Sequence, residues 1–174
     1  MVPPPPGPPV EHPVEITPIG YDEARNWLAW AYSAETAFIP PATALAMLLA
    51  HSALETAEWA KMRGWNFGNV TAFGHDRPYY VLHGITEYVD GKPVVVDMLF
   101  RWYPSSSLGA WDFVHVLRTR FPGAWALLES RDPKAYAFSL AEAKYYTGSR
   151  DKYAEGLAKW YAEFERRELG GVNA

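Results

Sequence analysis

The stretch Leu48–Trp59, LLAHSALETAEW, sets one carboxylate, Glu55, in a run apolar enough to be a buried helix. A charged acid is costly to bury, so Glu55 either points to water at a helix edge or works in a cleft. At helical spacing Glu55 falls within about 20° of Leu48, with His51, Ser52 and Trp59 on adjoining positions of the stripe. Glu58 is turned about 60° from Glu55, towards the helix flank. A carboxyl in a partly apolar pocket holds its proton to higher pH. That is the state a general acid needs near neutrality. His51 and Glu55, one turn apart, are two potential metal ligands, but two do not make a site. No metal and no cofactor is expected.

The elements around this stretch read mainly as helix. YDEARNWLAWAYSAE, from Tyr21, has Asp22 as N-cap and apolar positions at Ala24, Trp27, Leu28 and Ala31. The IPP at 39–41 stops it, and Pro41 suits the first turn of a second helix, ATALAMLLAHSALETAEWAKM. RGWNFGNVTAFGHDRP is a Gly- and Asn-rich loop. YYVLHGITEYVDGKPVVVDMLFRWY is the β region, with Asp90-Gly91 signalling a hairpin with a type I′ turn. Alternation puts His83, Ile85 and Glu87 on one face, and Leu82, Thr86 and Tyr88 on the other. Helices are expected again at about 107–120, 123–129, 133–143 and 151–168. The expected fold class is mainly α (α+β), a helical domain with an inserted β-hairpin lobe.

With 174 residues, 49% of them apolar and 21% charged, the chain suits one globular domain. A net charge of −4 speaks against a broad nucleic-acid footprint. No segment is long and apolar enough to span a membrane. The absence of Cys removes disulfides and thiolate chemistry. The start, MVPPPPGPPVEHPVEITP, has neither the basic nor the apolar region of a secretory signal. It reads as a polyproline-II tether over residues 1–18, extended and unpacked, with the domain proper at 19–174. Such a tether serves as a spacer or a docking ligand, or is simply a disordered tail. The eight Trp and eleven Tyr are mostly core material, though aromatic faces also pack on sugar rings.

The ordered set LAHSALETAEWAK, WNFGNV, TEYVDGKPVVVDMLFRWYPS and YYTGSRDKYAEGL, from about Pro41 to Leu157, resembles the N-acetylglucosaminidases of the lysozyme-like superfamily. The best-known members of this group include the flagellar-rod type of peptidoglycan hydrolase, glycoside hydrolase family 73. The resemblance implies a lysozyme-like fold and the following site. The general acid lands on Glu55. The groove-lining loop lands on Asn66, Phe67 and Gly68, with Trp65 and Asn69 beside them. The hairpin's second acid lands on Glu87, between Thr86 and Tyr88. A Tyr beside the cleft lands on Tyr145 or Tyr146, where Lys144 replaces the family's Gly. The family's E-[ST]-G-W-G reads E-T-A-E-W-A here, so Ala57 stands for the Gly and Trp59 comes one residue late. Arg101 is free either to pair with Glu87, to meet a stem-peptide carboxylate, or to be an ordinary surface charge.

The activity implied is cleavage of the peptidoglycan glycan strand by an endo-β-N-acetylglucosaminidase. The alternatives are a muramidase or lytic transglycosylase that uses Glu55 alone, and a non-catalytic wall-binding or assembly module. The expected partner is the glycan strand, with no nucleic acid, and the chain is expected to be a monomer. With no export signal, it is expected to be made in the cytoplasm and released to the wall, as a phage endolysin, as part of a phage or secretion assembly attached through the Pro-rich start, or as a flagellar cap.

Overall fold

The computed structural model describes residues 5–72 and 76–170. Among these residues six helices and one hairpin follow in the order α1 (Tyr21–Thr36), α2 (Ala42–Thr56), β1 (Tyr79–Val89), β2 (Lys92–Arg101), α3 (Ser106–Arg120), α4 (Pro122–Trp125), α5 (Pro133–Glu142) and α6 (Arg150–Gly170). Residues 73–75 of the expected loop, residues 1–4 of the expected tether and 171–174 lie outside the described residues.

Helix α2 is the centre of the molecule. It is apolar on every side, as a helix surrounded by others must be, and from Ala44 to Ala53 every residue is buried. It packs against α6, while α1 packs against α3 and α5 against α6. Gly156 of α6 abuts Leu54 of α2. A Cβ there would come within 2.8 Å of a Leu54 methyl, so the missing side chain lets the two helices lie close. The far end of α6 is tied to α1 through Glu168, which accepts from Tyr21 at 2.5 Å and Arg25 at 2.7 Å. Helix starts follow capping chemistry. Ser105 accepts from the Leu108 N–H at the start of α3, and Asp132 accepts from the Ala135 N–H ahead of α5, with Pro133 in its first turn. Two expected starts shift by a residue or two. Gly20, not Asp22, caps α1, and Pro41 is the cap of α2 rather than part of its first turn.

The second helix stops earlier than its sequence suggests. Ala57, Glu58 and Trp59 all have positive φ, at 51°, 55° and 64°. Each such residue costs roughly 1–2 kcal/mol without glycine's freedom. The turn that results swings the Trp59 indole into the core, where it is wholly buried and donates from Nε1 to Ser52 Oγ at 2.9 Å. Burying a Trp side chain contributes on the order of 5 kcal/mol, enough to offset the turn. Glu58 is therefore not on a helix flank at all. It is exposed on the turn, and the helical-wheel argument does not apply to it.

The hairpin closes through Asp90 and Gly91, both with positive φ as a type I′ turn requires. Its register slips once. Leu82 pairs with Met98 and Ile85 with Val96, so His83 and Gly84 together face Asp97. Gly84, with φ 68°, makes this bulge possible. His83 Nδ1 lies 2.9 Å from Asp97, which also accepts from the Gly84 N–H. The bulge corrects the simple alternation. Leu82, not His83, shares its face with Ile85 and Glu87.

The N-terminal segment is extended but not unpacked, contrary to the tether expectation. Val10 and His12 exchange backbone hydrogen bonds with Tyr79, forming a parallel bridge to the start of β1. The His12 ring stacks on Trp102 at 3.6 Å. Glu15 and Thr17 bond to Gly64 and Met62, and Thr17 Oγ1 accepts from the Trp65 N–H. The segment is a strap across the base of the hairpin. Among the described residues no helix is long and apolar enough to cross a membrane.

Candidate active site

Glu55 stands in the last turn of α2, with its side chain 14% exposed. Three elements converge on it. Tyr153, in the first turn of α6, donates its hydroxyl to Oε1 at 2.6 Å. Asn69, in the loop after α2, donates from Nδ2 to Oε2 at 3.2 Å and to the Glu55 main-chain oxygen at 2.6 Å. His51, one turn back on α2, holds Nε2 at 3.9 Å from Oε1. Burial raises the Glu55 pKa to about 7, against the lowering effect of the Tyr153 and Asn69 hydrogen bonds. Near neutral pH the carboxyl is thus protonated in a large fraction of molecules and is oriented by two donors.

The loop that delivers Asn69 is built by its neighbours. Asn66 is buried, and its amide donates to the carbonyls of Val70 and Arg101 and accepts from the Val70 N–H. Phe67 is wholly buried, and its carbonyl accepts from Ser52 at 2.6 Å. A Cβ at Gly68 would collide with the Phe113 ring and the Tyr145 hydroxyl. Asn69 then takes a left-handed φ of 49°, tolerable for Asn, which aims its amide at Glu55. The expected groove-lining role is thereby corrected for Asn66 and Phe67. Both face inward and hold the loop, because a short loop between two packed layers must spend its polar side chains on its own backbone. Trp65 is partly buried against the core, also with positive φ.

The turn between α5 and α6 supplies the opposite wall. Lys144 has φ 61°, a backbone conformation that favours Gly. Tyr145 donates to the Gly68 carbonyl at 2.5 Å and sets its ring edge on His51. Tyr146 stacks on Tyr153 at 3.7 Å and donates to the Ala137 carbonyl. Neither of these hydroxyls is bonded to Glu55; Tyr153 fills that place. Tyr153 was not singled out from sequence, and its only signal was being the third Tyr of YYTGSRDKY.

The hairpin reaches this same turn. The Thr147 hydroxyl donates to Glu87 Oε2, and the Tyr88 N–H donates to Thr147 Oγ1 at 3.3 Å. Glu87 is therefore linked to Glu55 through Thr147, its neighbour Tyr146, and Tyr153. Tyr88 is 47% exposed near the hairpin end. Arg101 makes neither of the contacts expected of it. It is buried, paired with Asp112 at 2.9 Å and bonded to the Thr71 carbonyl, and Tyr103 donates to the same Asp112. That cluster fastens the hairpin base to α3.

A cavity of about 270 Å³ has Asn69, one of the two donors to Glu55, on its wall together with Tyr145, Thr71, Arg120 and Phe121. A larger one, about 740 Å³, lies under the N-terminal strap and involves neither Glu55 nor its hydrogen-bond partners. No group of three metal-ligating side chains occurs among the described residues.

No protein-family model and no curated protein matches the chain. Solved structures do. A peptidoglycan hydrolase mutant from Sphingomonas sp. A1 aligns with a TM-score of 0.64 and 23% identity, over 86% of this chain and 96% of that one. The glycoside hydrolase domain of FlgJ from Salmonella typhimurium aligns at 0.54 and 20%, over 87% and 92%. The catalytic domain of the autolysin Auto from Listeria monocytogenes aligns at 0.57 and 17%, over 84% of each. The chain has their fold. At these identities the likeness is one of fold alone, the lysozyme-like α+β class.

Proposed function

We propose that the chain is a peptidoglycan hydrolase that cuts the glycan strand, acting as an endo-β-N-acetylglucosaminidase with Glu55 as general acid. The observation that carries this reading is the state of Glu55: a carboxyl held near pH 7 by burial and aimed by Tyr153 and Asn69. Glu55 passes its proton to the glycosidic oxygen as the bond to the anomeric carbon breaks. A second group then answers the oxocarbenium-like charge. Glu87 is that second carboxylate, brought in on the hairpin arm. A separation of about 5 Å from Glu55 in the closed complex makes it a nucleophile, and about 6.5–9.5 Å makes it a base for water. A two-stranded arm is marginally stable alone, and closing it on the substrate is a familiar way to complete a site.

A muramidase or lytic transglycosylase using Glu55 alone is the second reading. It is supported by the engagement of Glu87 with Thr147, which occupies one oxygen of the supposed nucleophile. Digestion of purified peptidoglycan followed by mass analysis separates the two. Reducible N-acetylglucosamine ends support the glucosaminidase. Reducible N-acetylmuramic acid ends, or non-reducible anhydro ends, overturn it in favour of the second reading.

A further inference from the structure

His51 is wholly buried on α2, one turn before Glu55. Aromatic side chains box its ring edge-on from three helices and a turn: Phe113 of α3, Tyr136 of α5, Tyr145 of the turn between α5 and α6, and Tyr153 of α6. Nδ1 lies 2.8 Å from the Tyr136 hydroxyl. Nε2 has no hydrogen-bond partner among the described residues and faces Glu55 Oε1 at 3.9 Å. A buried polar atom without a partner is uncommon and asks for a reason.

The proton on this ring can be placed. Burial drives the imidazole pKa down to about 3, so the ring is neutral and carries one N–H. Were that proton on Nδ1, the Tyr136 O–H would lose the acceptor it has at 2.8 Å, and the bare Nε2 would face Oε1 lone pair to lone pair whenever Glu55 is ionised. With the proton on Nε2, Tyr136 donates into Nδ1 and the N–H points at Oε1. Both costs vanish together.

We propose that His51 is a positioning residue for the Glu55 carboxyl, its Nε2–H held towards Oε1 by the Tyr136 hydroxyl and supporting the carboxylate left when Glu55 gives up its proton. The proposal rests on the reading of Glu55 as general acid. In that step the O–H bond of Glu55 breaks, an O–H bond forms on the leaving glycosidic oxygen, and the Nε2 proton stays on His51. The contact at 3.9 Å is too long for a hydrogen bond in the resting state and shortens as charge develops on Oε1. The other titratable groups facing the pair are Tyr136, Tyr145, Tyr146 and Tyr153, whose phenols burial pushes above their ordinary range. Glu55 is therefore the group in this cluster that changes charge near neutral pH.

Nitrogen-15 NMR of the whole protein labelled at histidine tests this without any need for activity. The His51 signals are assigned through His51→Gln or, should that variant not fold, through single substitutions of the other four histidines. The expected result is a neutral Nε2–H tautomer from about pH 5 to about pH 9. Its Nε2 signal should move with a midpoint near the Glu55 pKa of about 7 and should stop moving in Glu55→Gln. An Nδ1–H tautomer, a charged ring, or an Nε2 signal indifferent to Glu55 overturns the proposal. In activity assays His51→Leu should move the alkaline limb of the pH profile upward, on the order of half a unit, while His51→Gln, which keeps a donor, should restore it. A merely structural residue would lower activity without moving that limb. The expected NMR behaviour in a protein that leaves peptidoglycan uncut would refute the hydrolase reading alone.

Discussion

Tyr153 and Glu55, 98 residues apart in sequence, meet through a 2.6 Å hydrogen bond from phenol to carboxyl. The bond both aims the acid and lowers its pKa against the larger, opposite effect of burial. Tyr153→Phe keeps the ring stacked on Tyr146 but removes the donor. The Glu55 pKa should rise further, so the alkaline limb of the pH–rate profile moves up. The rate at its optimum should fall roughly tenfold or more, because the proton is no longer well placed. Unchanged rate and unchanged limb would remove Tyr153 from the site.

The same carboxyl makes stability depend on pH. Its folded pKa, about 7, lies above the ordinary 4.5, so the folded state binds the proton more tightly than the unfolded chain. That preference favours folding fully below about pH 4.5 and is lost as pH rises through 7. The full shift corresponds to about 3 kcal/mol. Glu55→Gln, which stays neutral, should therefore melt higher than the parent at about pH 8, and the advantage should shrink to nothing at about pH 4. Thermal unfolding of both proteins across this range is the measurement. A pH-independent difference contradicts a raised pKa.

The N-terminal strap gives a prediction opposite to the one its composition invites. Deleting residues 1–17 strips the His12 ring from Trp102 and leaves the backbone groups of Tyr79, Met62 and Gly64 without their partners. A melting temperature lower by several degrees is expected, since a loss of about 2 kcal/mol moves a domain of this size by roughly 4–8 °C. No change would show that the strap does not hold the domain.

Local signals made most elements legible in the sequence, and tertiary demands hid the rest. Asp90-Gly91 announced the hairpin because both residues tolerate the positive φ of a type I′ turn, and the later helices were placed to within a residue or two at about 107 and 133. The end of α2 was hidden because Ala57, Glu58 and Trp59 turn left-handed with no glycine to mark it, driven by burial of the Trp59 indole. The bulge at Gly84 reversed the strand parity through one extra residue. In the site, the helical stripe picked out Glu55, and the resemblance picked out Asn69. Asn66 and Phe67 were misjudged because a loop motif does not say which of its side chains turn inward. Tyr153 was invisible because its role depends on how α6 lies on α2 at Gly156 and Leu54, a distance that no local pattern encodes.

The central claim is that Glu55 is the acid that breaks the glycan strand. The most direct test is release of soluble muropeptides from purified peptidoglycan by the parent protein and by Glu55→Gln, both confirmed as folded by their melting curves. Loss of a general acid should cost at least on the order of a hundredfold in rate. The account predicts that the parent digests the wall and that Glu55→Gln, folded, does not. A Glu55→Gln protein nearly as active as the parent would contradict it.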